Sequence, residues 1–419
     1  MKPLFQLGEK NFYSTIIRFA SSQVFSNIVT LLSGVWVMRL IEPAQYGIFS
    51  GYQNYLGYVV LAQFGVLNGM NREIPRLVAL GHTNSYHDVV NSSFTISCVI
   101  GLCSGILFIV WSGVNYSSGL IIDSMASLTL VIVSSLYIFN SLFFPFLFRT
   151  NEDFNKFANI KLVIASVNVL TIYIVYTFGF LGLCLRAMCI SIITFIVYYR
   201  ISPAKFRLKV KKPELLGLYK IGFPIFLAGR IMPLWTTILN NIVLITLGAA
   251  NYGFYSISLL ILGTLSVLSQ SLSQIIYPRM ISMYSNNVSV REIIKAHLKP
   301  IFTMSLIISV SSLVIYLVLP ILISTLLPAY EQGLDMARVA VFIPVFSTLS
   351  IVSNIYNVVG SQKVVYTAQL FSIILGSTFL LIVSNIFGFQ SIYIIWSMLI
   401  SAAVQALIFH AHLYWKYIS

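Results

Sequence analysis

The 419-residue chain is 58% hydrophobic and 9% charged, with 25 Lys and Arg against 11 Asp and Glu and a formal net charge of +14 at pH 7. Soluble domains carry about 25% charged residues, so this composition excludes an ordinary soluble globule and makes lipid one of the solvents. A transmembrane β-barrel is excluded as well, because it would alternate in segments of about ten residues instead of forming solid apolar runs.

The N-terminal segment Met1–Asn11 carries Lys2 and Lys10 and leads into an apolar stretch that contains Arg18. No small-residue cleavage signature follows, so an uncleaved first span is expected. Further along, Val89–Ile122, Ser124–Phe148, Leu162–Leu185, Ile231–Pro278, Pro300–Tyr330 and Val364–Trp415 hold no Asp, Glu, Lys or Arg. About 20 apolar helical residues cross the ~30 Å hydrocarbon core, so the longest runs cross twice. Twelve spans are expected, at about 14–39, 45–70, 88–112, 122–148, 158–180, 182–200, 217–246, 252–278, 300–327, 336–360, 364–387 and 390–414. The fold class is an all-α polytopic membrane protein. Cys98, Cys103, Cys184 and Cys189 all fall inside these spans with no His or carboxylate nearby, which suits small apolar packing and not redox or zinc chemistry.

Charge sets the expected orientation. With both termini cytoplasmic, 20 of the 25 Lys and Arg lie at the termini or in cytoplasmic loops, including Arg72, Arg76, Arg149, Lys156, Lys161, Arg279 and Lys363. Only Arg39 and Arg338 sit near outer loops, and Arg18, Arg186 and Arg230 lie within spans. The reverse topology would violate the positive-inside rule. The densest run, Arg200–Lys220, is read as a basic linker between two halves that lies on anionic lipid. The expected domains are therefore a six-helix lobe over 1–200, the linker over 201–216 and a second six-helix lobe over 217–419. The net positive charge is accordingly no sign of nucleic-acid binding.

A weak repeat supports two halves. Gln45-Tyr46-Gly47-Ile48-Phe49-Ser50 matches Asn251-Tyr252-Gly253-Phe254-Tyr255-Ser256, and Ile74-Pro75-Arg76-Leu77 matches Tyr277-Pro278-Arg279-Met280. Both pairs bracket the second span of their half, a parallel repeat that suits alternating access around a central site. At these residues the chain resembles a known family. Pro43-Ala44-Gln45-Tyr46-Gly47 after the first span, Leu218-Tyr219-Lys220-Ile221-Gly222-Phe223-Pro224 opening the seventh and Tyr252-Gly253-Phe254-Tyr255 opening the eighth are typical of polysaccharide flippases, the Wzx-type O-antigen transporters. These belong to the multidrug/oligosaccharidyl-lipid/polysaccharide (MOP) exporter superfamily. The resemblance spans essentially the whole chain. It implies a V-shaped bundle of two six-helix lobes in a bacterial inner membrane. It also implies movement of undecaprenyl-diphosphate-linked oligosaccharides, O-antigen or a related surface polysaccharide, to the outer leaflet. A polysaccharide polymerase and a chain-length regulator are further candidate partners.

Enzyme motifs are scarce: there is no Walker-A loop, no H-E-x-x-H, no D-x-D and no Cys/His cluster, and no cofactor is expected. Polar stripes inside the spans say more. Arg18, Ser22, Ser26, Thr30 and Ser33 share one face of the first span, and Arg230, Thr237 and Asn241 share one of the seventh, with Asn240 adjacent. The second span adds Gln53, Asn54, Gln63 and Asn68, and the eighth adds Ser266, Gln270, Ser273 and Gln274. Such faces avoid lipid, and two readings stay open: interhelical hydrogen bonds or contacts to sugar hydroxyls in a wet cavity.

Arginine at bilayer depth costs about 2.5 kcal/mol or more. Arg230, near mid-span with no carboxylate in its segment, is the candidate ligand for a diphosphate or acidic sugar; bonding to carbonyls freed by Pro224 or Pro233 is the alternative. Arg18 is a candidate entry contact or a snorkelling charge. Arg186, after a short outer turn, is read as a structural residue snorkelling outward. The candidate substrate-binding set is Arg230, Arg18, Ser22, Ser26, Asn240, Asn241 and Gln270. His410 and His412 are read as interface histidines.

None of the eleven acids is mid-span, so no coupling carboxylate is evident. The membrane potential, worth about 2.3 kcal/mol per charge per 100 mV, is the alternative drive. A polysaccharide polymerase, which would need large outer loops with catalytic Arg and His, and a cation or drug exporter, which would need an acidic cavity, are the competing classes.

Overall fold

In the computed structural model, which describes residues 9–151 and 153–418, all regular structure among the described residues is helical. The first five helices are α1 (Glu9–Leu40), α2 (Pro43–Asn54), α3 (Leu56–Val59), α4 (Val66–Ala79) and α5 (Thr83–Ser117). Next come α6 (Ile121–Ile138), α7 (Phe144–Thr150), α8 (Phe154–Leu170), α9 (Ile172–Ile201) and α10 (Lys212–Ser285). The chain finishes with α11 (Val290–Leu326), α12 (Leu334–Ala340), α13 (Ile343–Leu349), α14 (Asn354–Val358), α15 (Gln362–Phe387) and α16 (Ser391–Leu413).

Among the described residues nine windows are long and apolar enough to cross a membrane. The window Lys212–Tyr284 is 73 residues long and folds back at Gly248, whose backbone is non-helical (φ 80°, ψ 176°). The reversal is visible in Tyr255, whose hydroxyl donates to Asn240 Oδ1 at 2.8 Å across 15 positions. A straight helix would hold them about 22 Å apart. α9 reverses in the same way at Gly179 (φ 55°), and a Cβ on Gly182 would collide with the Ile174 carbonyl. The fold-back of α10, the broken pass α2–α4 and the pass made by α8 with the start of α9 bring the total to twelve, as the sequence predicts.

The chain forms two compact units. One comprises the residues up to Ile41 with Ile48–Arg230, and the other takes Glu42–Gly47 with Ile231–Ser419.

In the first unit, α5 packs on α6 through small residues. Hydrocarbon is as apolar as leucine, so membrane helices associate by close packing and hydrogen bonds more than by a hydrophobic drive. Ser112 Oγ donates to the Ser124 carbonyl at 2.9 Å and Ser124 Oγ returns a bond to the Ser112 carbonyl at 3.1 Å. The opposite face of α5, with Leu102, Ile106 and Val110, is more than 60% exposed, as a lipid-facing stripe requires.

Below this seam Phe139, Phe143, Phe144, Phe148, Phe157 and Tyr198 form a buried aromatic core. Phe144 stacks on Tyr198 at 5.4 Å and Phe148 on Phe157 at 5.9 Å. Such pairs are worth about 0.5–1.5 kcal/mol each beyond their area. Pro145 lacks the N–H that would bond the Ser141 carbonyl, and the chain accommodates this with a wide π turn over Phe139–Phe143.

The basic linker is docked on this unit. Three of its alternate amides are tied to α5. The N–H of Arg207 donates to Asn91 Oδ1 (2.7 Å), that of Lys209 to Thr95 Oγ1 (3.0 Å) and that of Lys211 to Ser92 Oγ (3.2 Å). Phe206 stacks on Phe94 at 4.5 Å. The backbone is therefore held by one face of α5, while the side chains of Lys205, Arg207 and Lys209 stay exposed.

In the second unit α15 and α16 repeat the small-residue device: Ser397 Oγ donates to the Gly376 carbonyl (2.7 Å) and Ser401 Oγ to that of Ser372 (3.1 Å). The returning limb of α10 (249–285) meets α13 and α14 through Ser269 with Thr348 (2.5 Å) and Asn354 with Ser273 (2.9 Å). His410 and His412 sit between helices, contacting the Leu349 carbonyl (3.2 Å) and the Tyr356 hydroxyl (2.7 Å).

Candidate substrate-binding residues

The polar stripe of α1 lies along α8. Ser22 and Ser26 are buried. Ser26 Oγ donates to the Lys161 carbonyl at 3.1 Å and Ser33 Oγ to that of Asn168 at 2.9 Å. Arg18 is exposed and its guanidinium donates to Asn159 Oδ1 at 3.2 Å. Interhelical hydrogen bonding, one of the two readings of this stripe, is thus what Ser26 and Ser33 do.

Arg186 corrects an expectation. Instead of snorkelling outward it turns inward, donating to Ser33 Oγ (2.7 Å), Asn168 Oδ1 (3.2 Å) and the Asn168 carbonyl (3.3 Å). The reversal at Gly179 places Arg186 about two turns inside the returning helix. There the stripe of α1 supplies acceptors, and a hydrogen bond to a charged group is worth roughly 1.5–3 kcal/mol.

Arg230 lies in the first limb of α10 (212–247), half-buried and within electrostatic range of the Tyr137 phenol. It forms no hydrogen bond or ion pair among the described residues, so the expected alternative, bonding to carbonyls freed at Pro224 or Pro233, is not realised. Thr237 and Asn241 follow it on the same face.

Asn240 is buried in the second unit and accepts from Tyr255, whose hydroxyl also lies 3.8 Å from Met398 Sδ. Asn241 is half-buried, and Gln270, on the returning limb, is exposed. Arg18, Ser22 and Ser26 therefore share the α1–α8 seam, whereas Asn240, Asn241 and Gln270 are spread over the two limbs of α10. A cavity of about 520 Å³ in the first unit, beside Tyr55, Tyr58 and Trp111, has almost wholly apolar walls and offers no charged group to a phosphate.

Two cations escaped the sequence reading. Arg149 and Lys161 are expected there as loop charges, but the structure sets Arg149 in α7 and Lys161 two turns into α8, both half-buried. The loop between them is only Asn151–Asp153, so the helices extend past the predicted span ends. The available signal is that Lys161 falls inside the predicted fifth span.

Comparison with known proteins places this architecture. Structures sharing the fold include the inward-facing conformation of a multidrug-resistance MATE transporter of the MOP superfamily, with TM-score 0.72, 16% identity and coverage of 95% of this chain and 97% of that one. The outward-facing conformation of such a transporter aligns at TM-score 0.70 with 17% identity, covering 94% and 93%. A MOP-superfamily transporter from Pyrococcus furiosus, described as having a binding pocket of reversed polarity that suggests a different function, aligns at 0.70 with 16% identity over 95% and 94%. No curated protein matches the sequence. The family model for polysaccharide biosynthesis proteins matches residues 36–299, well over half of the chain. The chain therefore belongs to the polysaccharide biosynthesis protein family and carries the fold of the MOP-superfamily transporters.

Proposed function

We propose that this protein is a flippase that carries undecaprenyl-diphosphate-linked oligosaccharide repeat units from the cytoplasmic to the outer leaflet of a bacterial inner membrane. It is a transporter and not an enzyme in this reading, with both termini cytoplasmic. Six passes on each side of the linker 201–216 form the two halves of an alternating-access machine. The observation that carries the reading is Arg230: a half-buried guanidinium inside a membrane-crossing helix with no hydrogen-bond or ion-pair partner among the described residues. A buried charge is retained at such depth for a ligand of opposite sign, and a guanidinium matches a diphosphate through paired N–H donors. Arg18 would meet the diphosphate on entry, and Ser22, Ser26, Asn240, Asn241 and Gln270 would offer bonds to sugar hydroxyls.

A cation exporter would want carboxylates where this chain has arginines. A polymerase would want catalytic outer loops, whereas those near 116–123 and 327–335 are short and contain no His. An inside-negative potential would drive a dianionic headgroup outward by roughly 4–5 kcal/mol per 100 mV; transport that survives collapse of the potential would exclude this drive. The deciding experiment is the surface glycan profile of a strain lacking the gene. Loss of all repeat units with lipid-linked oligosaccharide held at the cytoplasmic face is expected. Single repeat units still reaching the surface would overturn the reading in favour of a polymerase.

A further inference from the structure

The first unit holds a further pair of cations, carried by α7 and α8. Arg149 closes α7 and Lys161 lies two turns into α8, and the two are within electrostatic range of one another. Neither has a carboxylate partner among the described residues: Asp153, the nearest acid described in the intervening loop, pairs with Lys156 at 3.5 Å. Arg149 Nε donates to the Pro145 carbonyl at 3.1 Å and its guanidinium sits 4.9 Å over Phe146, which leaves its terminal nitrogens without a hydrogen-bond partner among the described residues. Lys161 Nζ rests 5.4 Å over the Phe157 ring. Phe157 in turn packs 6.2 Å from Tyr198. Tyr198 is 0% exposed, its hydroxyl is buried without a partner, and it lies within electrostatic range of Arg149.

Two like charges in consecutive helices, each seated on its own aromatic ring, form an arrangement with donors and no acceptor. Buried donors of this kind cost free energy unless something accepts from them. Both cations keep part of their surface open, so an acceptor can reach them from outside the unit. It must be anionic, carry several oxygens and lie at the positively charged end of the helices. Basic pockets between transmembrane helices at that depth bind lipid headgroups.

We infer that Arg149 and Lys161 form a binding site for a lipid-borne phosphate. Two sources share this chemistry, the headgroup of an anionic phospholipid and the diphosphate of a polyprenyl carrier. The guanidinium and ammonium would neutralise the phosphate and donate to its oxygens.

The test is lipid binding to the purified full-length protein in detergent, followed by native mass spectrometry and by thermal stabilisation. The probes are phosphatidylglycerol, undecaprenyl diphosphate and, as the phosphate-free control, diacylglycerol. Lys161→Gln and Arg149→Gln should each weaken binding of a phosphate lipid about tenfold, as expected for a lost charge-assisted hydrogen bond. Tyr198→Phe, which deletes a hydroxyl sealed from the surface, should bind phosphate lipids like the parent and leave the lipid-free melting temperature unchanged or raised. A loss confined to undecaprenyl diphosphate assigns the site to a polyprenyl carrier, and a loss that includes phosphatidylglycerol assigns it to a resident phospholipid. Unaltered binding of both phosphate lipids in Lys161→Gln overturns the proposal even if Arg149→Gln fails to fold. Because the readout is binding and not transport, that failure would leave the flippase reading standing.

Discussion

Gly47 and Gly253 hold equivalent places in the two copies of the internal repeat, and each is closed off by the backbone of the other copy. A Cβ on Gly47 would collide with the Ala249 carbonyl, and one on Gly253 with the Pro43 carbonyl. Gly222, from the motif that opens the seventh pass, meets the Gly65 carbonyl in the same manner. These motif glycines are packing contacts between crossing backbones.

Gly47→Ala and Gly253→Ala should therefore each cost about 3 kcal/mol or more, since backbone cannot retreat as a flexible side chain does. Gly263→Ala, where nothing lies within 4 Å, should be neutral or slightly stabilising. Melting temperatures of the purified variants decide. Parental stability in Gly47→Ala would mean that the crossing is looser than described.

The linker is tied down by a pair between the Lys211 ammonium and the Asp88 carboxylate. The hydrogen bond that the Lys211 ammonium donates to Asp88 raises the Lys211 pKa above its usual value. With the folded value above the unfolded one, near 10.4, the pair's contribution is complete below that pH and is lost as pH rises through the folded value. Amide exchange at Arg207, Lys209 and Lys211 should be slow at neutral pH, with an excess acceleration above about pH 10 that Asp88→Asn abolishes. Exchange in Asp88→Asn equal to the parent at neutral pH would show that the backbone bonds to Asn91, Ser92 and Thr95 hold the linker alone.

Arg186 joins three passes, bonding Ser33 of α1 and Asn168 of α8 from the returning limb of α9. Asn168→Ala removes an acceptor from a charged donor and should lower stability by about 2 kcal/mol. Asn168→Asp, which keeps an acceptor and adds a countercharge, should retain most of it. Thermal unfolding in detergent checks both, and an unchanged midpoint in Asn168→Ala would remove Arg186 from the stabilising set.

Arg230→Ala should abolish translocation while protein level and melting temperature hold, because the side chain has no hydrogen-bond or ion-pair partner among the described residues to lose. Arg230→Lys keeps the charge without the planar fork and should retain partial activity, roughly tenfold down. Full transport by Arg230→Ala would remove the residue from the substrate path.

The twelve passes were legible in the chain because unpaired charge is so costly in hydrocarbon that charge-free runs and their lengths mark the spans. The chain reversals were nearly so: Gly179 and Gly248 lie within two residues of the predicted turns, and both take positive φ, which glycine adopts at little cost. The internal repeat was legible as two tyrosine-glycine motifs. Its physical use, two glycines passing each other's backbone, was not, since that depends on which helix crosses which. Arg149, Lys161 and Arg186 show the same limit most clearly. Sequence position counted the first two as topology charges and the third as a snorkelling one. Only tertiary packing decided that Arg186 bonds Ser33 and Asn168, and that Arg149 and Lys161 come within electrostatic range of one another, each over an aromatic ring. The physical reason is that the cost of burying charge is set by the local solvent and can be read along a chain, whereas the acceptors that offset it come from other helices.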